Sequence, residues 1–317
     1  MTDTMQAVGI NHYGDEQQLE MATLPVPTIG EHQVLVQVKA TSINPIDWKL
    51  REGYLQKMFD WAFPIVLGWD LAGTITQVGA KVTDWQVGDA VFARPDTTNR
   101  GTYADFAAVD DHLLAHKPDN VSFEAAAAVP LAGETAWQAL FEHGQLKAGQ
   151  TVLVQAGSGG VGSYAIQLAK AAGAHVITTT SAKNFDLVRD LGADEIIDYR
   201  NESIIDRVHN IDLVIDTLGG QSQVDAWQVL NPETGRQISI VGPAEATPDI
   251  IANTNLEFKA IWLNPSGADL QKIADLMAKG AVKSIIDSVL PFSADGLIQA
   301  HQLSATHHAT GKIVIKF

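Results

Sequence analysis

Between Gln33 and Ile43 the chain reads QVLVQVKATSI, with Val34, Val36 and Val38 separated by more polar neighbours. A period of two marks a half-buried strand. AGTITQVG and GDAVFA are further short strand candidates, each opening on or next to glycine. Pro25, Pro27, Pro45, Pro64 and Pro95 punctuate the region. The first ~120 residues therefore predict a twisted antiparallel or barrel-like unit. From Phe123 the pattern changes. SFEAAAAVPLAGETAWQALFEHG is rich in helix formers and closes at Gly144. Strands and helices then alternate: TVLVQA, VGSYAIQLAKAAG, HVITTT, NFDLVRDLG, EIID, SIIDRVH, IDLVIDTLG, QVDAWQVL, RQISIVG and a sixth strand in EFKAIWL. That alternation predicts a parallel, doubly wound sheet. GADLQKIADLMAKG reads as an amphipathic helix, and IIDSVLPF and GKIVIKF as strands again. The expected division is a strand-rich domain over residues 1–122, completed by 282–317, with an α/β domain over 123–281 inserted in it.

The turn after TVLVQA carries the strongest chemical signal. Gly157, Gly159 and Gly162 match G-x-G-x-x-G between a predicted strand and a predicted helix, the context that makes this pattern a dinucleotide site. Gly157 allows the tight turn, Gly159 lets backbone approach a pyrophosphate, and Gly162 permits close helix–strand packing. Helix-start amides favour negative charge, so the cofactor-binding set here is Gly157, Ser158, Gly159, Gly160, Val161 and Gly162. An acidic residue ~20 positions on would bind a ribose 2′-hydroxyl. HVITTTSAKN instead offers Thr180, with Ser181 and Lys183 close behind and no carboxylate before Asp186. A hydroxyl and an ammonium suit a 2′-phosphate, which points to NADP(H); the other reading of Lys183 is a solvated helix-start lysine.

Composition narrows the partners. The net charge of −16 over 317 residues argues against nucleic acid or an anionic membrane. There is no cysteine, which excludes disulfides, thiolate zinc sites and a cysteine nucleophile. The N-terminal MTDTMQAVGINHYGDEQQLE lacks a basic run followed by an apolar core. No apolar stretch approaches the ~20 residues of a membrane span, so a cytoplasmic location is expected.

Several further motifs come in one order: TSINPIDWKLREG, LGWDLAGTITQVGAKVTDWQVGDAVFA, GTYADFAAV, AAAVPLAGETAWQAL, AGSGGVG, LGADEIIDY and GKIVI. Together they resemble the medium-chain dehydrogenase/reductase superfamily, and within it the zinc-free quinone oxidoreductase branch. The resemblance covers nearly the whole chain. It implies a GroES-like, partly open β-barrel catalytic domain beside a Rossmann nucleotide-binding domain, with the cleft between them. It also implies a homodimer, commonly formed by edge-to-edge pairing of the nucleotide-domain sheets.

Zinc alcohol dehydrogenases carry Gly-His-Glu where this chain has Gly68-Trp69-Asp70. Tryptophan cannot ligate zinc, so no metal is expected. Asp70 reads as a structural residue that accepts backbone hydrogen bonds, with a direct catalytic role as the alternative. His112 and His116, and the adjacent His307 and His308, read as surface histidines.

The resemblance implies hydride transfer to an electron-poor acceptor, a quinone or an α,β-unsaturated carbonyl. Without a Lewis acid, the acceptor oxygen needs hydrogen-bond donors. Asn44, held extended by Pro45, is the first catalytic candidate and by resemblance lies beside the nicotinamide ribose. Asp47 of the same motif reads as structural. Family members often have tyrosine next; here Trp48 supplies only an indole N–H. Tyr54, Tyr103 or water remain as proton sources. Thr135, Tyr199, Val241, Gly242 and Lys312 match cofactor-contacting positions of the family. Trp48, Tyr54, Phe59, Trp61 and Phe63 form either an apolar lid or part of the barrel core. The competing function is an NADPH-binding redox sensor of low turnover, or a reductase of other carbonyl compounds.

Overall fold

The computed structural model describes residues 3–317, and its contacts separate two compact units, Met1–Ala132 with Pro265–Phe317, and Gly133–Asn264. The first unit is built around the long strand Gln33–Ser42. Leu71–Val78 pairs antiparallel along one edge. Two strands share the other edge: Phe106–Asp110 along residues 33–37 and Lys312–Lys316 along 40–42. The sheet continues to Ala90–Ala93 and Leu114–His116 on one side and to Ile286–Pro291 on the other. A second sheet joins Glu20–Pro25, Thr4–Ile10 and Ile65–Val66. Val34, Val36 and Val38 are buried with Leu71, Ile75, Val91 and Val109, as the period-two pattern predicts. A second core gathers Val8, Ile10, Ile65, Leu67, Trp69 and Leu297.

The second unit is a six-stranded parallel sheet. Its strand order is Glu195–Asp198, His175–Thr180, Thr151–Val154, Leu213–Asp216, Arg236–Ser239, Glu257–Ala260. In chain order this is 3-2-1-4-5-6, the Rossmann arrangement. The helix Gly160–Ala171 buries Ala165, Ile166, Leu168 and Ala169.

The unit boundaries fall at 132/133 and 264/265, displaced from the expected 122/123 and 281/282. Two helices account for the shift. Phe123–Ala127, capped by Ser122, packs on first-unit strands, and its Glu124 pairs with Lys316 at 2.6 Å. Gly267–Ala278 packs on Leu114–His116, and Gln271 accepts the His116 N–H at 3.0 Å. The stretch rich in helix formers that closes at Gly144 is divided before Pro130, where a second helix, Pro130–Trp137, starts. Proline lacks the N–H that a continuous helix needs there. That second helix then widens into i→i+5 turns over Gln138–His143.

Candidate active site

Asn44 follows the strand Gln33–Ser42 and caps the helix Pro45–Arg51, extended at φ −130° and ψ 155°. Its backbone N–H donates to Asp47 Oδ2 at 2.7 Å. The pairing of Val314 with Ser42 brings Lys312 opposite Asn44. Lys312 Nζ donates to Asn44 Oδ1 and, at 2.8 Å, to the Ile43 carbonyl. Asn44 Nδ2 donates to Asp70 Oδ2 at 2.7 Å. The same oxygen accepts from Ser42 Oγ at 2.6 Å and faces Lys312 Nζ at 3.5 Å, while Oδ1 accepts the Leu131 N–H at 2.8 Å.

A cation on the amide oxygen and an anion on the amide nitrogen fix which way the Asn44 carboxamide faces. Turned over, its NH2 would meet the ammonium and its oxygen the carboxylate. One Nδ2 hydrogen is used by Asp70, and the other has no partner among the described residues. Asn44 and Lys312 are only 2% and 4% exposed. Burial lowers the Lys312 pKa, against the pull of Asp70 and Asp47.

A second chain of hydrogen bonds reaches Asn44 through Asp47. Arg51 Nη1 donates to His301 Nδ1 at 3.0 Å, because guanidinium cannot accept. His301 Nε2 therefore carries the ring hydrogen and donates to Tyr103 Oη at 3.1 Å. Tyr103 in turn donates to Asp47 Oδ2 at 2.9 Å. Burial pushes His301 down to about 3, with Arg51 adding to the shift. Burial also pushes Asp47 up to about 7, against the hydrogen bonds from Asn44 and Tyr103. The Tyr103 hydroxyl is fully buried, its pKa is raised well above the ordinary value by burial and by Asp47, and its O–H is committed to the hydrogen bond with Asp47. It is thereby removed as a proton source for a substrate.

These two titrations act on stability with opposite sign. Unfolded His301 binds a proton below 6.5 and folded His301 only below about 3, so stability rises with pH across that window. Folded Asp47 keeps its proton to about 7 and unfolded Asp47 to 3.8, so this group makes stability fall as pH rises between those values. His301→Gln removes only the rising contribution. In urea unfolding the variant's deficit is expected to grow from about pH 4.5 to about pH 6.5, by up to about 1.4 kcal/mol per pH unit. A deficit that shrinks over that range would contradict the neutral, buried histidine.

Tyr54 is 73% exposed, and its hydroxyl makes no hydrogen bond among the described residues. With Trp48 and Lys49 it lines an open hollow of about 310 Å³. The aromatic run divides. Phe59 and Trp61 stack at 4.7 Å and pack on the core, with Trp61 against Trp69, whereas Tyr54 and Phe63 are exposed.

In the second unit, the glycine turn has two closed faces and one open one. A Cβ on Gly157 would stand 2.0 Å from Thr178 Oγ1, and one on Gly162 2.3 Å from the Ala156 carbonyl. On Gly159 a Cβ would meet only the Ala156 carbonyl, at 3.3 Å. No side chain caps the helix at Gly159, and the first-turn amides of Gly160, Val161 and Gly162 have no helical acceptor. Ser158 Oγ accepts from Thr180 Oγ1 at 3.0 Å and from Asn184 Nδ2 at 2.9 Å. The Thr180 hydroxyl thus supports Ser158 instead of standing free, and Ser181 beside it is buried. Lys183 is exposed and has no ion pair among the described residues. Thr180 registers with Asp198, so the turn carrying Tyr199, 55% exposed, follows alongside. The Arg200 guanidinium lies 5.8 Å from the Tyr199 ring centroid. Val241 is half exposed, and Gly242 has φ +95° with open space around it. Thr135 is buried within the helix Pro130–Trp137.

Comparison with known proteins gives the family. The alcohol dehydrogenase GroES-like domain family matches residues 30–119, and the zinc-binding dehydrogenase family matches residues 191–315. The chain is 35% identical to the chloroplast envelope quinone oxidoreductase homolog of Arabidopsis thaliana, over 98% of each chain. It is 36% identical to the chloroplastic NADPH-dependent alkenal/one oxidoreductase of the same plant, over 98% of this chain and 79% of that one. The structure of the quinone oxidoreductase from Coxiella burnetii superposes with a TM-score of 0.91 at 31% identity, over 99% of both chains. The chain belongs to the medium-chain dehydrogenase/reductase superfamily, in its zinc-independent, quinone-oxidoreductase-like branch.

One of the two matching families of this superfamily is described as zinc-binding, but the residues here do not fit the ion. Trp69 is buried with its indole N–H donating to the Thr98 carbonyl at 3.2 Å, and it has no lone pair to offer. Asp70 already faces four protein donors. The chain has no cysteine, and no group of three or more His, Cys, Asp or Glu gathers among the described residues. The open face at Gly159, the uncapped amides and unpaired Lys183 do fit a dinucleotide phosphate. Asn184, Arg200 and His301 were not singled out by the sequence. Asn184 lies in a polar turn after a strand, Arg200 follows the expected Tyr199, and His301 is one residue of an ordinary helix.

Proposed function

We propose that the chain is an NADPH-dependent, zinc-independent oxidoreductase that reduces quinones or α,β-unsaturated carbonyl compounds. The observation that carries it is the Asn44–Asp70–Lys312 cluster, which fixes the Asn44 carboxamide and leaves one oriented N–H uncommitted among the described residues. The printed activities of the relatives support the same acceptor classes.

A bound nicotinamide supplies the hydride. Asn44 Nδ2 donates to the acceptor oxygen as negative charge develops on it. Lys312 and Asp70 hold that amide in place. Tyr54, whose hydroxyl is uncommitted, and water are the proton sources that remain. The turn from Gly157 to Gly162 would hold the pyrophosphate. Ser181, Lys183, Tyr199 and Arg200 would hold the adenosine 2′-phosphate. Val241, Gly242 and Thr135 would hold the nicotinamide end.

The proposal includes a cytoplasmic homodimer. Glu257–Ala260 ends the parallel sheet as an edge strand, with exposed Trp262 just beyond it, and the mass in solution checks the pairing. No helix among the described residues is long and apolar enough to cross a membrane.

Oxidation of NADPH and NADH is measured with a panel of quinones and enones. Turnover with at least one class, and preference for NADPH, are expected. Lys183→Ala is expected to lower that preference about tenfold, the loss of one charge-assisted phosphate contact. Tight NADPH binding without turnover would favour the redox-sensor reading. Equal use of NADH would overturn the phosphate pocket.

A further inference from the structure

Gln223 is a fully buried carboxamide in the second unit, on the helix Gly220–Trp227. Its Nε2 donates to Asp216 Oδ2 at 2.6 Å and to the Gly242 carbonyl at 2.8 Å, with Ser239 Oγ at 3.2 Å. Its Oε1 accepts from the Ala244 N–H at 2.6 Å and from Thr247 Oγ1 at 2.7 Å. Asp216 also accepts the Leu218 and Gly219 N–H groups through Oδ1, at 3.0 and 2.8 Å. One amide thus binds the turn after Leu213–Asp216 to the turn after Arg236–Ser239. Both turns lie at the carboxyl ends of adjacent parallel strands.

The anchored segment presents a specific pair of groups. Ser239 Oγ donates to the Gly242 carbonyl at 3.0 Å and accepts the Val241 N–H at 3.3 Å. Those inward bonds leave the Val241 carbonyl and the Gly242 N–H without partners among the described residues. The space around Gly242 is open. A primary carboxamide carries one donor face and one acceptor face, and a backbone carbonyl beside an N–H complements both. Adenine and phosphate have no such need of this tip.

We infer that Gln223 is a positioning residue: acting through the Ser239–Ala244 turn, it holds the Val241 carbonyl and the Gly242 N–H ready for the carboxamide of a nicotinamide. This rests on the nucleotide-binding reading above. Gln223→Glu keeps the shape but replaces two donors by an oxygen that faces Asp216 and the Gly242 carbonyl. An acceptor set against acceptors displaces the turn.

The test compares binding of NADPH with binding of adenosine 2′,5′-bisphosphate, which lacks the nicotinamide, in the full chain. The Kd for NADPH is expected to rise about tenfold or more in Gln223→Glu, and that for the bisphosphate to stay within about twofold. Thr247→Val removes one of the bonds to Oε1 and carries the same comparison if the first variant does not fold, with an NADPH-only loss of about fivefold expected. Equal weakening of both ligands would make Gln223 a general structural residue, and no change in either would also overturn the inference. Wild-type protein that binds neither ligand would remove the nucleotide reading and the inference together.

Discussion

Asp70→Ala is expected to destabilise the first unit by about 3–5 kcal/mol, the range for breaking a buried ion pair from one side. Asp70 is fully buried and is the only carboxylate in hydrogen-bond or ion-pair contact with the Lys312 ammonium among the described residues. Its loss leaves Lys312 with two neutral oxygens, those of Ile43 and Asn44. It also strands the donors of Ser42 and Leu131. Burial already works against the charged lysine. Lys312→Met in the same background removes the uncompensated charge, so the double variant should be more stable than the sum of the single effects implies. Urea unfolding followed by tryptophan fluorescence measures all four proteins. Strict additivity, or a loss below about 1 kcal/mol for Asp70→Ala, would mean that the pair is not coupled.

Asn44→Ala is expected to lower kcat for quinone or enone reduction by about 10²-fold, the scale of one lost oxyanion donor. The affinity for adenosine 2′,5′-bisphosphate should be unchanged, because the residues proposed for that half belong to the other unit. A fall in kcat with KM for the acceptor held constant marks an interaction made in the transition state. A variant that raises KM alone would assign Asn44 to ground-state binding, and one with wild-type kcat would remove it from the mechanism.

Much of this arrangement was legible from residue spacing. The alternation of Val34, Val36 and Val38 describes the central strand, and strict strand–helix succession after Thr151 describes the parallel sheet. Both patterns are local, and local periodicity survives in a one-dimensional reading. Gly157 and Gly162 were legible because a side chain at either has nowhere to go. Asn44 was visible through Pro45, but its partners were not. Lys312 lies 242 and 268 residues from Asp70 and Asn44, and His301 lies 198 and 250 residues from Tyr103 and Arg51, and neither spacing nor composition encodes such a contact. Thr180 was legible as a hydroxyl in the right place, yet its bond to Ser158 depends on how two turns meet. The helices Phe123–Ala127 and Gly267–Ala278 look like members of the inserted domain, since helix propensity does not say which sheet a helix will cover.

The strand Lys312–Lys316 has a consequence during synthesis. Residues 133–264 are contiguous and emerge together, so the parallel sheet has all of its strands while translation continues. The earlier segment has Asp70 and Asn44 in place but must wait for Lys312 and His301, which leave the ribosome after residues 133–264. Domains generally fold as units during synthesis, and here the unit that begins first is completed second. A nascent chain arrested before Lys312 would carry a folded nucleotide sheet beside an unfinished barrel. Such a chain exposes the unpaired end of the strand Gln33–Ser42 to chaperones and proteases, so the barrel is protected only once Lys312–Lys316 has docked on it.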